Sequence, residues 1–168
     1  MPEFQTERLL ITPYGAEHLD ANLEMDMDPD VMRYIGDGTV TPRDERSRIL
    51  RAQIGLKDGM GKWSIFPKSD PGDYLGWAGI FPLKDHHTIE LGYRFKKDVW
   101  GKGFATEAAR PLIAYGFDVL KLNEITAVTH PENAASQNVL RKLGFEARDA
   151  EFAYGQMQPI FYLMAPST

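Results

Sequence analysis

The spacing of apolar residues along the chain changes between two periods, one typical of strands and one typical of helices. Short runs rich in β-branched and aromatic residues, bounded by proline, glycine or aspartate, predict strands. These runs are 6–13, 62–67, 74–82, 88–95 and 123–129, followed by a closing hairpin of 145–154 and 158–164. Apolar residues three or four positions apart predict helices over 16–25, 29–34, 104–119 and 133–143, and one that opens at Thr41-Pro42 and ends near Gly59.

The helix that opens at Thr41-Pro42 shows how the sides of a helix are assigned from the sequence. A cap residue followed by proline is a favoured helix start, and Asp28-Pro29 has the same form. Its predicted core-facing residues are Ile49, Ala52, Gln53 and Leu56. Its arginines fall mostly on the other side and predict a solvent-exposed face, with a binding patch as the alternative: Arg43, Arg46, Arg48 and Arg51.

The connections between the predicted strands indicate a mixed sheet. Pro71-Gly72 is typical of a hairpin turn, so the early strands are expected to be antiparallel neighbours. Strand 123–129 is reached across a helix and is therefore expected to run parallel to strand 88–95. The predicted fold class is α/β, with a mostly antiparallel sheet flanked by helices. Without repeats or linkers, residues 1–168 are expected to form a single domain.

Composition narrows the classes of function. The net charge of −5 provides no basic surface for tight nucleic-acid binding, so no nucleic-acid partner is expected. The absence of cysteine excludes disulfides, cysteine nucleophiles and thiolate metal ligands, and no metal site is expected. No apolar run approaches the ~20 residues of a membrane span, and the first ten residues are not an apolar signal segment. A cytoplasmic protein without a membrane partner is the expectation.

The stretch 99–108 lies where strand 88–95 gives way to a helix. Gly101 and Gly103 allow positive φ and close approach of a ligand to the backbone. The first amides of the following helix lack intrahelical partners and attract an anion, and Lys102 could add a mobile positive charge. The stretch therefore predicts either a phosphate site or an ordinary tight turn.

Two common phosphate-binding motifs do not match this loop. A P-loop needs Gly-x-x-x-x-Gly-Lys-Ser/Thr, which the chain lacks, and a dinucleotide fingerprint needs a small residue where Thr106 stands. The pattern Arg/Gln-x-x-Gly-x-Gly/Ala matches better, with Trp100 in the first place, Gly103 in the fourth and Ala105 in the sixth.

A second informative stretch is 130–145, at the next junction of strand and helix. Asn133 begins the helix, where its amide side chain can cap the helix or bind a ligand. Ser136 follows one turn later on the same face, either as a functional hydroxyl or as a solvent-facing one.

Together these stretches resemble the GCN5-related N-acetyltransferases (GNAT), and most closely the ribosomal-protein N-terminal (RimJ/RimL-like) branch. The resemblance spans nearly the whole chain and is most specific from Thr88 to Phe145. The matching segments are Thr6-Glu7-Arg8-Leu9, Glu90-Leu91-Gly92-Tyr93, Trp100-Gly101-Lys102-Gly103-Phe104-Ala105-Thr106-Glu107-Ala108, Asn133-x-x-Ser136 and Lys142-Leu143-Gly144-Phe145.

The resemblance implies a GNAT fold whose parallel strand pair, 88–95 and 123–129, splays open around acetyl-CoA. The pantetheine arm would pair with the backbone near Tyr93 to Phe95, and the pyrophosphate would lie on the amides of Gly101 to Thr106. Asn133 would contact the pantetheine arm or position the thioester. The residues expected to bind acetyl-CoA are Tyr93, Arg94, Phe95, Gly101, Lys102, Gly103, Phe104, Ala105, Thr106, Asn133, Ser136 and Asn138.

The resemblance also implies direct attack of an acceptor amine on the thioester. Glu90 is the candidate base, acting through a bound water, although a surface carboxylate is the alternative. Many relatives carry a tyrosine acid where this chain has Leu140, so Ser136 becomes the candidate hydrogen-bond donor to the leaving sulfur. Possible substitutes for Ser136 are Tyr93, Tyr154 and Tyr162. His86 and His87 fall in a turn and are expected to be exposed.

The expected activity is acetyl transfer to a primary amine, with a protein or peptide N-terminal α-amine as the first choice of acceptor. The alternatives are a small-molecule amine (a polyamine, antibiotic or amino acid) and a non-catalytic acyl-CoA-binding module. Apolar candidates for the acceptor site outnumber acidic ones, and the protein is expected to be a monomer or homodimer. The apolar candidates are Met32, Tyr34, Ile35, Trp77, Phe81 and Tyr93, and the acidic ones Asp37, Asp70, Asp73, Asp85 and Glu90.

Overall fold

The computed structural model describes residues 1–55, 58–84 and 86–167, so two predicted positions, Leu56 and Asp85, lie outside the described residues. The strands are β1 (Phe4–Gln5), β2 (Leu9–Pro13), β3 (Gly61–Pro67), β4 (Gly76–Pro82), β5 (Ile89–Phe95), β6 (Glu124–Val128), β7 (Glu146–Ala147), β8 (Glu151–Ala153), β9 (Gln156–Gln158) and β10 (Ile160–Met164). The α-helices are α1 (Leu19–Asp26), α2 (Pro29–Met32), α3 (Arg43–Ala52), α4 (Phe104–Asp118) and α5 (Ala134–Lys142).

The main sheet has the order β1-β2-β3-β4-β5-β6-β10-β7, and β8 and β9 form a separate two-stranded hairpin. Every neighbouring pair in the main sheet is antiparallel except β5 and β6, which are parallel. The predicted mixed sheet with one parallel pair is confirmed. Its cause is the helical crossover α4 between β5 and β6, because a parallel connection needs such a crossover.

One face of the sheet packs on α4 and forms the larger core. Residues at alternate positions of β2 to β5 point to this face and pack against the apolar side of α4, where Ala108 and Leu112 are fully buried. Each large apolar side chain buried in this way contributes roughly 1.5–3 kcal/mol. The sheet residues of this core include Leu9, Ile11, Trp63, Ile65, Ala78, Ile80 and Leu91.

The other face is covered by α1, and α1 packs in turn against α3. Here the predicted solvent-exposed arginine face is wrong at Arg46, which is buried. Asp26 of α1 is fully buried between Arg46 at 2.6 Å and Arg94 of β5 at 2.9 Å. A carboxylate that stays ionised when removed from water needs compensating charge, and the arginine on the adjoining helix contributes it. The buried apolar residue of α3 is Leu50, whereas the predicted core residue Ile49 is exposed.

Several element boundaries differ from those predicted. The first long strand begins at Leu9 rather than at residue 6, because Thr6 and Arg8 turn toward α4 and bind Glu107. The chain after α5 forms four short strands in place of one hairpin: β10 pairs with β6 and β7, and β8 pairs with β9. Helix α4 continues through Pro111 to Asp118.

Candidate active site

The parallel strands β5 and β6 are paired at one position only, Glu90 opposite Thr126. Both strands lie wholly within the described residues, and β5 remains fully paired with β4 on its other side, from Ile89 to Phe95. The two parallel strands therefore diverge beyond Glu90, as predicted for the splayed pair, and leave an opening between them. The hydroxyl of Thr126 donates to the carbonyl of Ile89 at 3.0 Å, which closes the narrow end of this opening.

Glu90 lies at the narrow end, on the sheet face opposite α4. Its side chain is buried, with 5% of the residue exposed, so the alternative of a surface carboxylate is wrong. The hydroxyl of Tyr154 donates to Oε2, and the Val128 amide also hydrogen-bonds the carboxylate. Burial raises the pKa of Glu90 to about 7, although both hydrogen bonds favour the charged form and lower it. A carboxylate with a pKa near neutrality is suited to take up and release a proton.

The hydroxyls of Tyr93 and Ser136 meet on the α4 side of the opening. The two oxygens are 2.9 Å apart, and the Tyr93 hydroxyl also lies 3.1 Å from the Ser136 carbonyl oxygen. Tyr93 has one hydroxyl proton, so both bonds are satisfied when Tyr93 donates to the carbonyl and Ser136 donates to the Tyr93 oxygen. Burial raises the pKa of Tyr93 to about 12. At neutral pH this hydroxyl therefore stays protonated and can act as a hydrogen-bond donor.

Asn133 is the N-cap of α5, where its Oδ1 accepts from the Ser136 amide at 3.1 Å. This bond fixes the helix start that carries Ser136. Asn133, Ser136 and Tyr93 are thus brought together by the structure.

The glycine loop, Gly101 to Gly103, lies between the end of β5 and the start of α4. Gly101 and Gly103 have φ of 74° and 80°, which disfavours any residue with a Cβ. The amide of Glu107 is the first to bond within the α4 ladder, to the Gly103 carbonyl at 3.0 Å. The amides of Phe104, Ala105 and Thr106 precede that ladder at the positive end of the helix dipole. Such a cradle fits a pyrophosphate group.

Trp100 and Lys102 flank these glycines. The indole of Trp100 donates to the Phe95 carbonyl at 2.9 Å, although 48% of the residue is exposed. This bond holds the loop against the end of β5 and occupies one of the backbone carbonyls expected to pair with the pantetheine arm. Lys102 is exposed.

A carboxylate in the first turn of α4 is neutralised from the N-terminal segment. The guanidinium of Arg8 bonds Glu107 through Nε at 2.7 Å and a terminal nitrogen at 2.6 Å, and the Thr6 hydroxyl donates at 2.5 Å. The same guanidinium stacks on the Phe104 ring at 4.5 Å. Unpaired, Glu107 would repel a phosphate on the loop; paired with Arg8, it does not. The residues present therefore fit the phosphates of acetyl-CoA.

The structure does not bring every predicted site residue to the opening. The Arg94 side chain is largely covered, with 10% exposed, and bonds Asp26 on the other face, so its backbone alone faces the predicted cofactor side. Asn138 is exposed and pairs with Arg141 at 3.4 Å. Tyr162 donates to the exposed Glu146 at 2.9 Å. His87 is exposed as expected, whereas His86 is half-buried and its Nε2 lies 3.1 Å from the Phe152 carbonyl.

On the sheet face that carries Glu90, Phe81 lies opposite it on β4 and the β8–β9 hairpin contacts it through Tyr154. Trp77 and Phe81 of β4 lie with ring centroids 6.3 Å apart, and Tyr34 stacks on His130 at 5.1 Å. Gln156 reaches the Gly36 carbonyl at 3.5 Å, which ties the hairpin to the segment after α2. Of the acidic candidates that are described, Asp37 is exposed and bonds Thr39, and Asp70 and Asp73 are exposed in the β3–β4 turn.

Two features of this site were not found by sequence reasoning. The contact of Tyr154 with Glu90 joins residues 64 positions apart, and the Arg8–Glu107 pair joins residues 99 apart. The Tyr154-Gly155 pair signals a turn, but no local pattern tells which carboxylate the tyrosine meets. The sequence segments around Arg8 and Glu107 resemble the family, but nothing in the sequence indicates that these two side chains contact each other.

Two further findings concern metals and membranes. Across 1–55, 58–84 and 86–167, no three histidine, aspartate or glutamate side chains are grouped where they could hold a metal ion. None of the helices formed by these residues has the length and apolar character needed to cross a membrane.

A family model described as Acetyltransferase (GNAT) domain matches residues 8–146. The chain therefore belongs to the GNAT acetyltransferases, a family of enzymes that use acetyl-CoA as acetyl donor. The predicted enzyme class, an N-acetyltransferase, is confirmed.

Two relatives of similar identity differ in how much of their own length matches this chain. The uncharacterized N-acetyltransferase p20 of Bacillus licheniformis is 30% identical over 168 residues, 96% of this chain and 94% of the relative. FsC-acetyl coenzyme A-N(2)-transacetylase of Aspergillus fumigatus is 32% identical over 85% of this chain. The matched region spans 64% of the Aspergillus protein.

Solved structures share the fold along nearly the whole chain. An acetyltransferase (GNAT family) from Bacillus anthracis is 27% identical, with a TM-score of 0.78 over 96% of each chain. RimL, a ribosomal L7/L12 alpha-N-protein acetyltransferase solved with CoA, is 14% identical (TM-score 0.80, 98% of each chain). Spermidine N-acetyltransferase from Vibrio cholerae, solved with CoA and spermine, is 17% identical (TM-score 0.75, 95% of this chain and 96% of that one). The GNAT fold is thus confirmed, and these two likenesses concern the fold alone.

Proposed function

We propose that this chain transfers the acetyl group of acetyl-CoA to the α-amine of a protein or peptide N-terminus, as a single catalytic domain of the RimJ/RimL-like kind. The observation that carries the proposal is Glu90. It is a buried carboxylate at the narrow end of the β5–β6 opening, with a pKa of about 7 and no cationic partner among the described residues.

In the proposed reaction the acceptor nitrogen attacks the carbonyl carbon of the thioester. A carbon–nitrogen bond forms, the carbon–sulfur bond breaks, and its electron pair leaves with the sulfur as CoA thiolate. The amine proton passes to the Glu90 carboxylate, directly or through one water. The reference pKa of a peptide α-amine is about 7.7–8.0, close enough to that of Glu90 for ready transfer near neutrality.

The sulfur would leave on the opposite side of the opening, near Tyr93 and Ser136. Their bonded hydroxyls supply one donor that can turn toward a developing thiolate. Because the pKa of Tyr93 is about 12, full proton transfer to a thiolate with a pKa near ~8.5 is uphill. We therefore assign these hydroxyls, with Ser136 as the nearer one in the family arrangement, to hydrogen bonding of the leaving sulfur.

The acceptor class follows from the number of carboxylates at the site. A polyamine carries several charges and is best bound by several carboxylates. Glu90 is the one candidate carboxylate of the described set that is buried beside the opening. Asp37 and Asp70 are exposed and bond within their own turns, and Asp73 is exposed and pairs with Lys96 at 3.3 Å. A single carboxylate with Phe81 opposite it on β4, and Trp77 next to Phe81, suits one amine on a larger, mixed acceptor.

The rival within the same class is acetylation of a small-molecule amine. The Aspergillus relative is named for acetyl transfer to an N(2) position, and the Vibrio fold neighbour for acetylation of spermidine. Both names are compatible with the same opening, since fold likeness leaves the acceptor open.

Release of free CoA from acetyl-CoA separates these functions when it is measured with a panel of amines. The panel contains short peptides with a free N-terminus, the same peptides N-terminally blocked but carrying an internal lysine, spermidine, and single amino acids. We expect the highest kcat/KM for the free peptides and little activity on the blocked ones. Faster reaction of spermidine or of the internal lysine would overturn the acceptor assignment, and CoA binding without release by any amine would overturn the catalytic one.

A further inference from the structure

The β8–β9 hairpin stands apart from the main sheet and carries Tyr154 at its turn. Tyr154 and Gly155 both have positive φ, of 52° and 86°. A two-residue hairpin turn between Ala153 and Gln156 requires positive φ at both positions, and Tyr154 adopts it although that region is disfavoured for a residue with a Cβ. The base of the hairpin is fixed by His86, which meets the Phe152 carbonyl at 3.1 Å and the Glu151 carboxylate at 3.7 Å.

The contact made by Tyr154 is the hydrogen bond to Glu90. Among the described residues, Tyr154 is the one side chain that hydrogen-bonds the Glu90 carboxylate. The other partner of the carboxylate is the backbone amide of Val128. Burial and the nearby Glu90 raise the pKa of Tyr154, so its hydroxyl stays protonated as a donor. The side chain is half-exposed, and the hydroxyl reaches inward from a hairpin at the protein surface.

The charged groups around this pair do not replace that bond. Arg94 lies on β5 four residues beyond Glu90 and acts on Tyr154 through its charge, but its guanidinium is held by Asp26. Thr126, opposite Glu90 on β6, is uncharged and donates to Ile89. His86 and Glu151 lie at the base of the hairpin and contact each other.

We propose that Tyr154 is a positioning residue for the acceptor site: its hydroxyl holds the Glu90 carboxylate ionised and aligned until an acceptor amine takes its place. The inference rests on the proposed role of Glu90 as the base. The donor that Tyr154 offers is chemically equivalent to an amine N–H, so an amine reaching Glu90 from the hairpin side meets the tyrosine hydroxyl first.

This role predicts effects of opposite sign at low and high pH. Without the hydroxyl, Glu90 loses a hydrogen bond that favours its charged form, so its pKa rises and less of the base is ionised below neutrality. At pH 9 the carboxylate is ionised with or without Tyr154, and no hydroxyl has to be displaced by the amine.

The test compares Tyr154→Phe with Tyr162→Phe. Tyr162 is a matched control because it also donates to a carboxylate, Glu146, and stands on β10 opposite Thr126. kcat/KM is measured from pH 5.5 to 9.5 with two free peptides whose α-amine pKa values differ. The part of the pH profile that moves with the peptide reports titration of the acceptor amine, and the part that stays reports titration of the protein. For Tyr154→Phe we expect kcat/KM about tenfold lower at pH 6, and equal or higher at pH 9. Tyr162→Phe should follow the wild type.

Two further measurements on Tyr154→Phe test the proposal independently of the pH profile of the single variant. In a ¹³C-labelled protein, the Glu90 carboxyl resonance, assigned with Glu90→Gln, should titrate about one pH unit higher in Tyr154→Phe than in the wild type. In the Glu90→Gln background, Tyr154→Phe should have no further effect on kcat/KM.

The same loss at every pH, an unchanged profile, or a full effect in the Glu90→Gln background would overturn the role of Tyr154. Each of these results requires turnover and leaves the acetyltransferase proposal standing. Absence of CoA release by the wild type with every amine would instead overturn the proposed function, while the ¹³C titration would still report on the Tyr154–Glu90 bond.

Discussion

Two buried carboxylates on the same face of the sheet have opposite surroundings. Asp26 lies between Arg46 and Arg94, which bond it at 2.6 and 2.9 Å. Glu90 has a tyrosine hydroxyl and a backbone amide as its partners. The face therefore contains one acidic group whose charge is compensated and another whose charge is not.

The difference shows that one buried carboxylate on this face suits stabilisation of the fold and the other suits acid–base chemistry. A buried ion pair is costly to break because the remaining charges stay in a low-dielectric interior. A buried carboxylate without a cation costs stability when ionised, but its pKa moves into the range that acid–base catalysis needs. The Asp26 cluster thus stabilises the fold, whereas Glu90 has the properties of the proposed catalytic base, at a cost that the rest of the fold must offset.

The largest effect is expected from removing the compensated carboxylate. Asp26→Asn should lower the free energy of unfolding by about 3–5 kcal/mol, because Arg46 and Arg94 remain buried without their partner. Urea denaturation measures this change. Asp20→Asn, on the exposed side of α1, should change the same quantity by less than about 0.5 kcal/mol. Equal effects of the two substitutions would show that the cluster is no more important than a surface charge.

Glu90→Gln should have the opposite effect on stability, in a pH-dependent way. The pKa of Glu90 is raised from 4.5 to about 7 in the folded protein, so its stabilising contribution is complete below pH 4.5 and is lost as pH rises through 7. Glu90→Gln has no carboxyl group at this position to titrate, so its stability does not fall in this way as pH rises. Its stability relative to the wild type should therefore rise by roughly 3 kcal/mol between pH 4 and pH 8. A constant difference in urea denaturation across this range would contradict a raised pKa for Glu90.

The same substitution should lower turnover with a free peptide by about 100-fold near pH 7.5. The loss should shrink toward pH 9, where the acceptor amine is already neutral, and toward pH 5.5, where Glu90 is protonated. Acetyl-CoA binding, measured by calorimetry, should stay within about twofold of the wild type, since Glu90 faces the acceptor side. An equal loss of turnover and of acetyl-CoA affinity would place Glu90 in the cofactor site instead.

The glycine loop extends the comparison because it presents backbone amides, rather than buried ions, to a charged group. Gly103→Val should weaken CoA binding at least about tenfold by blocking the phosphate approach and straining a φ of 80°. Gly55→Val is the control, since Gly55 has a φ of 71°, has nothing within 4 Å of a new Cβ and lies outside the loop. It should lose comparable stability but keep CoA affinity. A similar loss of affinity in both variants would exclude a specific role for the loop.

The smallest effect is expected at the Tyr93–Ser136 pair. Ser136→Ala removes one neutral hydrogen bond, so kcat should fall by about threefold to tenfold with CoA affinity nearly unchanged. Rapid-quench measurement of a single turnover reports this step directly. If kcat is unaffected in Ser136→Ala and reduced in Tyr93→Phe, the donor to the sulfur is the tyrosine.

The sequence by itself determined the order of the main strands and helices up to α5 and the mixed sheet, and its resemblance to the family implied where the parallel pair opens. Strand and helix periods, the proline after Asp28 and the glycines at 101 and 103 act over a few residues, so a linear pattern contains them. The parallel relation of β5 and β6 also follows, because a helix lies between them in the chain.

Only the tertiary structure decided which charges are compensated. Arg46 was expected on a solvent-exposed face and is buried with Asp26, 20 residues away, because α1 packs against α3. Glu90 acquires its pKa from the depth at which β5 lies and from Tyr154 on a hairpin 64 residues later. Burial and pairing depend on distances across the folded chain, and an electrostatic effect in the interior changes steeply with those distances. For this reason the candidates Glu90, Tyr93 and Ser136 could be named from the sequence, whereas their burial and pairing could not.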